Sequence, residues 1–160
     1  MIDRGEYRSV LCGLDIEQGA GRGLGERGAS TLRAADAATA RGARLVLVHA
    51  LPVNPGVPMS PQALEQSLLE RERLSKRIID ALLEAVERLT GRKPSEVQVL
   101  VEDGPPARAI LDVAGRLRCD LIVVGHSGTA RKDLLRRLLG SVATAVAREA
   151  PCSVLVVRPS

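Results

Sequence analysis

Short, almost wholly apolar runs alternate along the chain with longer segments that carry an apolar residue every three or four positions. Residues 9–14 (S-V-L-C-G-L) read as a buried strand that ends at Asp15. A glycine-rich stretch, residues 19–28, leads into an alanine-rich helix over about 30–40, with Gly42 taken as the glycine that stops it. Residues 45–50 form a second strand, a continuous apolar run of the kind buried on both faces. A Pro- and Gly-rich loop, 52–58, separates it from the longest helix. Ser60 is placed to cap that helix, Pro61 to open it and Gly91 to follow its end. Leu64, Leu68, Leu74, Ile78, Leu82 and Leu89 make its apolar stripe. Residues 97–101 alternate as a third strand, Asp103-Gly104-Pro105-Pro106 turn the chain, and 107–117 are helical. Residues 121–124 are a fourth strand running into Gly125, a helix opens at Ser141, and 153–157 are the last strand.

Five strands alternating with four helices predict an α/β fold, a doubly wound and mostly parallel sheet with helices on both faces. No linker or internal repeat divides the chain, so residues 1–160 are expected to form one domain. Ligands of such sheets bind beyond the carboxyl ends of the strands, where the winding direction switches. Asp15, Ala50 and Gly125 all fall at those ends.

Composition narrows the function. The chain has one aromatic residue, Tyr7, which argues against modules that stack bases on aromatic rings. Its net charge of +4 comes from residues spread along the sequence, not from the clustered footprint of a nucleic-acid binder. No apolar stretch is long enough to span a membrane and no leader pattern is visible, so a cytoplasmic location is expected. Cys12, Cys119 and Cys152 are odd in number and far apart, which suits buried reduced thiols better than a metal or dithiol centre.

The most informative stretch is Gly125-His126-Ser127-Gly128, then eleven residues, then Gly140-Ser141-Val142. Glycines just past a strand let backbone amides approach an anion, and a helix N-terminus adds a favourable dipole. Ser141 is placed to cap the last helix, and Arg131, Lys132, Arg136 and Arg137 add charge between the two halves. The same residues would equally serve as turn glycines and a solvated helix face, and spacing alone leaves both readings open.

At this point the sequence resembles a known family. Asp15, His49-Ala50, the Gly104-Pro105-Pro106 turn and D-L-I-V-V-G-H-S-G at 120–128 are similar to universal stress proteins. G-S-V-A-T-A-V at 140–146 and A-P-C-S-V-L-V-V-R at 150–158 continue the likeness. The resemblance implies the five-stranded fold of the adenine nucleotide α hydrolase-like superfamily. It also implies ATP, or AMP or ADP, with or without magnesium, held through G-x2-G-x9-G-[S/T]. Asp15 and the Ala50 backbone would then lie near adenine and ribose. Gly125, Ser127 and Gly128 would line ribose and phosphates, and Gly140, Ser141 and Val142 would hold the phosphate tail. A homodimer through the last strand, Ser153–Val157, is implied too.

Two departures stand out. Gly128 and Gly140 are separated by eleven residues instead of nine, and the loop after Asp15 is longer and richer in glycine than the family's short turn. That loop would lie beside the base site, as a mobile lid or as disordered chain. Gly23-Leu24-Gly25-Glu26-Arg27-Gly28 fits G-x-G-x-x-G, but it starts eight residues beyond Asp15, too far for a dinucleotide fingerprint. Gly125-His126-Ser127 imitates a hydrolase nucleophile elbow, yet Thr129 replaces the second glycine and no histidine follows Ser127. His49 reads as a structural histidine and His126 as an exposed one at the mouth of the site. Neither catalytic residues nor metal ligands are identified. The expected function is therefore a stress-response regulator that binds adenine nucleotide and is at most a slow ATPase. The alternative is a dimeric interaction module of the same family that binds none.

Overall fold

The computed structural model describes residues 6–16, 23–53, 56, 60–126 and 140–158. In chain order it contains β1 (Tyr7–Gly13), α1 (Glu26–Ala38), β2 (Thr39–Leu51), α2 (Pro61–Thr90), a 3-10 turn at Pro94–Glu96, β3 (Val97–Asp103), α3 (Pro106–Arg116), β4 (Leu121–Gly125), α4 (Ser141–Glu149) and β5 (Ser153–Val157). The strands form one sheet in the order β3-β2-β1-β4-β5, and every neighbouring pair is parallel.

The apolar runs explain that arrangement, because a strand flanked by helices on both faces needs apolar side chains on both. Along β1, Val10 and Cys12 pack with Leu32 of α1 and Leu82 and Val86 of α2. Leu11 points the other way, into a second core with Val113 of α3 and Val146 of α4. Two layers of helix thus enclose a central β1, while β3 and β5 form the edges. The Asp120 carboxylate ties the starts of β1 and β4 together by accepting from the Arg8 and Ser9 amides, each at 2.9 Å. Arg44 adds to this end by donating to the Ser9 hydroxyl and the Leu117 carbonyl.

The limits of α2 fall where the caps predict. The Ser60 hydroxyl accepts from the Ala63 amide at 3.2 Å, and Gly91 ends the helix at φ +74°. Its apolar stripe, however, is split. Ile78, Leu82 and Val86 are buried, whereas Leu64 and Leu68 are 56% and 59% exposed. The amino-terminal half of α2 therefore overhangs the sheet, steadied by an ion pair from Arg71 to Asp103 at the end of β3.

The first helix departs from expectation at both ends. It starts at Glu26, not near Ser30, and stops at Ala38. The Thr39 hydroxyl turns back to the Ala35 carbonyl at 2.7 Å, and the chain enters β2 directly. Gly42, at φ +76°, does not end the helix. It lies where the β1–β2 register shifts between the Tyr7–Thr39 and Ser9–Arg44 pairs. Among the described residues, no helix is long and apolar enough to cross a membrane.

Candidate functional site

Winding runs outward from β1 through β2 to β3, then crosses to β4 on the other side of β1. The carboxyl ends of β1 and β4 are thus the place where loops diverge and leave a crevice. A cavity of about 250 Å³ opens there. Gly13, Leu14 and Asp15 come to it from β1, His49 and Ala50 from β2, and Gly125 and His126 from β4. A more open hollow of about 540 Å³ shares Asp15, His49 and Ala50 and runs on to Gly104, Pro105 and Pro106. Gly104 makes that turn at φ +106°, with its amide bonded to the Leu51 carbonyl at 2.9 Å.

Helix packing dictates glycine at two of the strand ends. A Cβ on Gly13 would stand 2.6 Å from Cδ1 of Ile110 on α3. A Cβ on Gly125 would stand 2.8 Å from Oγ1 of Thr31 on α1. Both helices pack closely onto the strand ends, where the missing side chains leave room for them.

The two histidines differ. His49 is 5% exposed, and its Nδ1 lies 3.0 Å from the Leu14 carbonyl. A carbonyl only accepts, so Nδ1 carries the proton and the ring stitches β2 to the end of β1, beside the bond from the Leu14 amide to the Val48 carbonyl. The structural reading of His49 holds. His126 is not simply exposed. Its amide donates to the Val157 carbonyl at 2.8 Å, while its Nε2 is buried without a hydrogen-bond partner among the described residues. No other side-chain nitrogen or oxygen among the described residues is in that condition. A buried polar atom left unpaired on a cavity wall calls for an explanation.

Of the residues singled out in the sequence, Asp15, Ala50, Gly125 and Val142 come together on the wall of the smaller cavity. Gly140 and Ser141 adjoin Val142 but are not on that wall. Gly140, not Ser141, is the N-cap of α4, and no side chain caps the helix. Ser127 and Gly128 lie outside the described residues, as do Arg131, Lys132, Arg136 and Arg137. Sequence reasoning passed over Gly25, Arg27, Gly28 and Thr31, which form the α1 side of the cavity. The signal was present in the G-x-G-x-x-G segment, once it is seen as the start of α1. The first helix of a doubly wound sheet aims its N-terminus at the carboxyl edge of the strands.

None of the three thiols lines either hollow, and burial pushes each of them above the ordinary thiol range. Among the described residues there is no cluster of three or more histidine, cysteine or carboxylate groups placed to hold a metal ion. The arrangement is a concave, mainly apolar crevice with a few polar groups and bare backbone at strand ends, which suits a small ligand with a planar apolar part.

Comparison with known proteins agrees with this architecture. The sequence model of the universal stress protein family matches residues 6–158. A Thermus aquaticus protein, described as a universal stress protein in the QAH/OAS sulfhydrylase 3′ region, is 41% identical over 76% of this chain and 82% of its own length. The crystal structure of a universal stress protein in complex with cAMP superposes with a TM-score of 0.63 at 25% identity, covering 96% of this chain and 99% of that one. An Arabidopsis thaliana family protein with AMP bound superposes with a TM-score of 0.61 at 14% identity, covering 95% of this chain and 92% of the other.

Proposed function

The chain belongs to the universal stress protein family, and on that premise we propose that it binds an adenine nucleotide at the carboxyl edge of its sheet as a regulatory ligand. The observation that carries this reading is the cavity at the β1–β4 switch point, where Asp15, Ala50, Gly125 and Val142 meet. Relatives of the same fold were crystallised with cAMP and with AMP. In this reading the Ala50 backbone meets the adenine edge and the Asp15 carboxylate accepts from ribose hydroxyls. Gly125, with Ser127 and Gly128, lines the sugar and the first phosphate, and Gly140 and Ser141 take the tail of ADP or ATP, with or without magnesium. In this reading the ligand is sensed and not turned over at speed.

The test is to denature freshly purified protein, identify released nucleotide by mass spectrometry, and titrate the emptied protein calorimetrically with AMP, ADP and ATP. Co-purified adenine nucleotide or micromolar binding, weakened at least tenfold in Gly125→Val, is the expected result. No released nucleotide and no heat with any of the three would overturn the reading in favour of an interaction module.

The same reading includes a homodimer through β5. Among the described residues that strand pairs only with β4, and Leu155 on it is 40% exposed, so an apolar edge with open peptide groups is available to a second copy. Light scattering at tens of micromolar is expected to report a dimer that Leu155→Lys weakens. A monomeric wild type would refute the dimer.

A further inference from the structure

The α1 side of the cavity has no role in the nucleotide reading, yet it is built around Gly125. The Thr31 hydroxyl donates to the Arg27 carbonyl at 2.8 Å and stands 2.8 Å from where a Gly125 Cβ would be. Thr31 therefore packs the start of α1 closely against the end of β4. Arg27 is in the first turn of that helix, and His126 is the residue after Gly125, so the two flank the glycine on the wall of one small cavity.

Gly25 caps α1 without any side-chain acceptor, which leaves the amides of Glu26, Arg27 and Gly28 without a partner inside the helix. A Cβ on Gly28 would stand 2.7 Å from Cδ2 of Leu24, so Leu24 packs closely against the helix start. Among the described residues Arg27 has no carboxylate partner, and Glu26 beside it is exposed and off the cavity wall. On the same wall, His126 Nε2 is buried and has no partner among the described residues. A guanidinium and free helix amides donate to oxygen acceptors with negative charge, an imidazole Nε2 that carries its proton does the same, and a phosphate satisfies them together.

We infer that Arg27 and His126 grip the phosphate joined to the ribose of the bound nucleotide, from the α1 side of Gly125. This rests on the nucleotide reading above and deepens it. Recognition centres on the first phosphate, so the chain distinguishes a nucleotide from a nucleoside through one residue in the first turn of α1 and one just past β4.

The experiment compares AMP with adenosine by titration calorimetry on wild type, Arg27→Gln and His126→Phe. Nitrogen-15 NMR of the His126 ring is recorded in parallel as inorganic phosphate is added. Wild type is expected to prefer AMP over adenosine, and each variant to cut that preference by about tenfold or more, the scale of one lost charged hydrogen bond. Thermal melts establish that the variants are folded; Arg27 is exposed, so its replacement leaves the core intact. Equal binding of AMP and adenosine by wild type overturns the inference while the nucleotide reading stands, as does an unchanged preference in both folded variants. Failure of both ligands, with phosphate still shifting the His126 ring in an Arg27-dependent way, overturns the nucleotide reading and keeps the anion site. Failure of all three removes both.

Discussion

Replacing Gly125 by alanine tests whether α1 is locked onto the end of β4 by the contact described above. The new Cβ would lie 2.8 Å from Thr31 Oγ1, well inside van der Waals contact. Thr31 is 2% exposed, and turning its hydroxyl away breaks the bond to the Arg27 carbonyl. Overpacking of this kind costs about 1–3 kcal/mol. Thr31→Ala alone loses a buried hydrogen bond, about 1 kcal/mol. In the double variant Gly125→Ala/Thr31→Ala the obstructing atom is gone, so its cost is expected to fall short of the sum of the singles by about 1 kcal/mol or more. Thr31→Val keeps a methyl group in the space of the hydroxyl, so in that background the alanine should cost nearly as much as in wild type. Urea unfolding followed by circular dichroism measures all five free energies. Additivity of the Gly125→Ala/Thr31→Ala pair within about 0.5 kcal/mol would show that no such lock exists.

Other consequences are independent of the ligand. Burial pushes the Cys12 thiol far above its ordinary range, so the folded chain keeps that proton where the unfolded chain releases it. Stability from this group is complete below the ordinary thiol value near about 8.5 and falls as pH rises through it, by up to about 1.4 kcal/mol per pH unit. The urea midpoint should drop between pH 8 and 10 less steeply in Cys12→Val than in wild type; parallel curves would refute the account. Ser60→Ala removes the only side-chain cap of α2, worth about 1 kcal/mol. Because the first half of α2 makes little core contact, the loss should appear as faster amide exchange over residues 61–70 with little change in global melting temperature. A full shift of global stability with unchanged local exchange would show that this half is coupled to the core.

Much of this molecule is written in its hydrophobic pattern. Residues 9–14, 45–50 and 121–124 announce strands buried on two faces because they are almost wholly apolar, Ser9 and His49 apart, and the cap residues of α2 mark both its ends. Asp15, Ala50 and Gly125 follow from the rule that loops part at a switch point, and the cavity brings them together. The start of α1 was harder to read. Gly25 and Gly28 are poor helix formers, and only packing of Leu24 and Leu32 on the core brings the helix forward to Glu26. Missing that start hid Arg27. Gly42 is correctly a positive-φ position, but the sequence cannot say whether a glycine closes a helix or relieves a strand register. The burial of His126 depends on neighbours far along the chain, such as Val142 and Val157, which no local pattern reveals.

The position of β1 in the sheet also sets an order of events during synthesis. Its bond to β2 closes early, since His49 reaches Leu14 across only 35 positions. Its bond to β4 waits for residues 111 positions away, the span between the Ser9 amide and the Asp120 carboxylate. For most of translation, then, one edge of β1 is an apolar strand with open peptide groups, the state most prone to pair with another chain. The amides that the finished protein shields most completely are therefore the ones a nascent chain exposes longest.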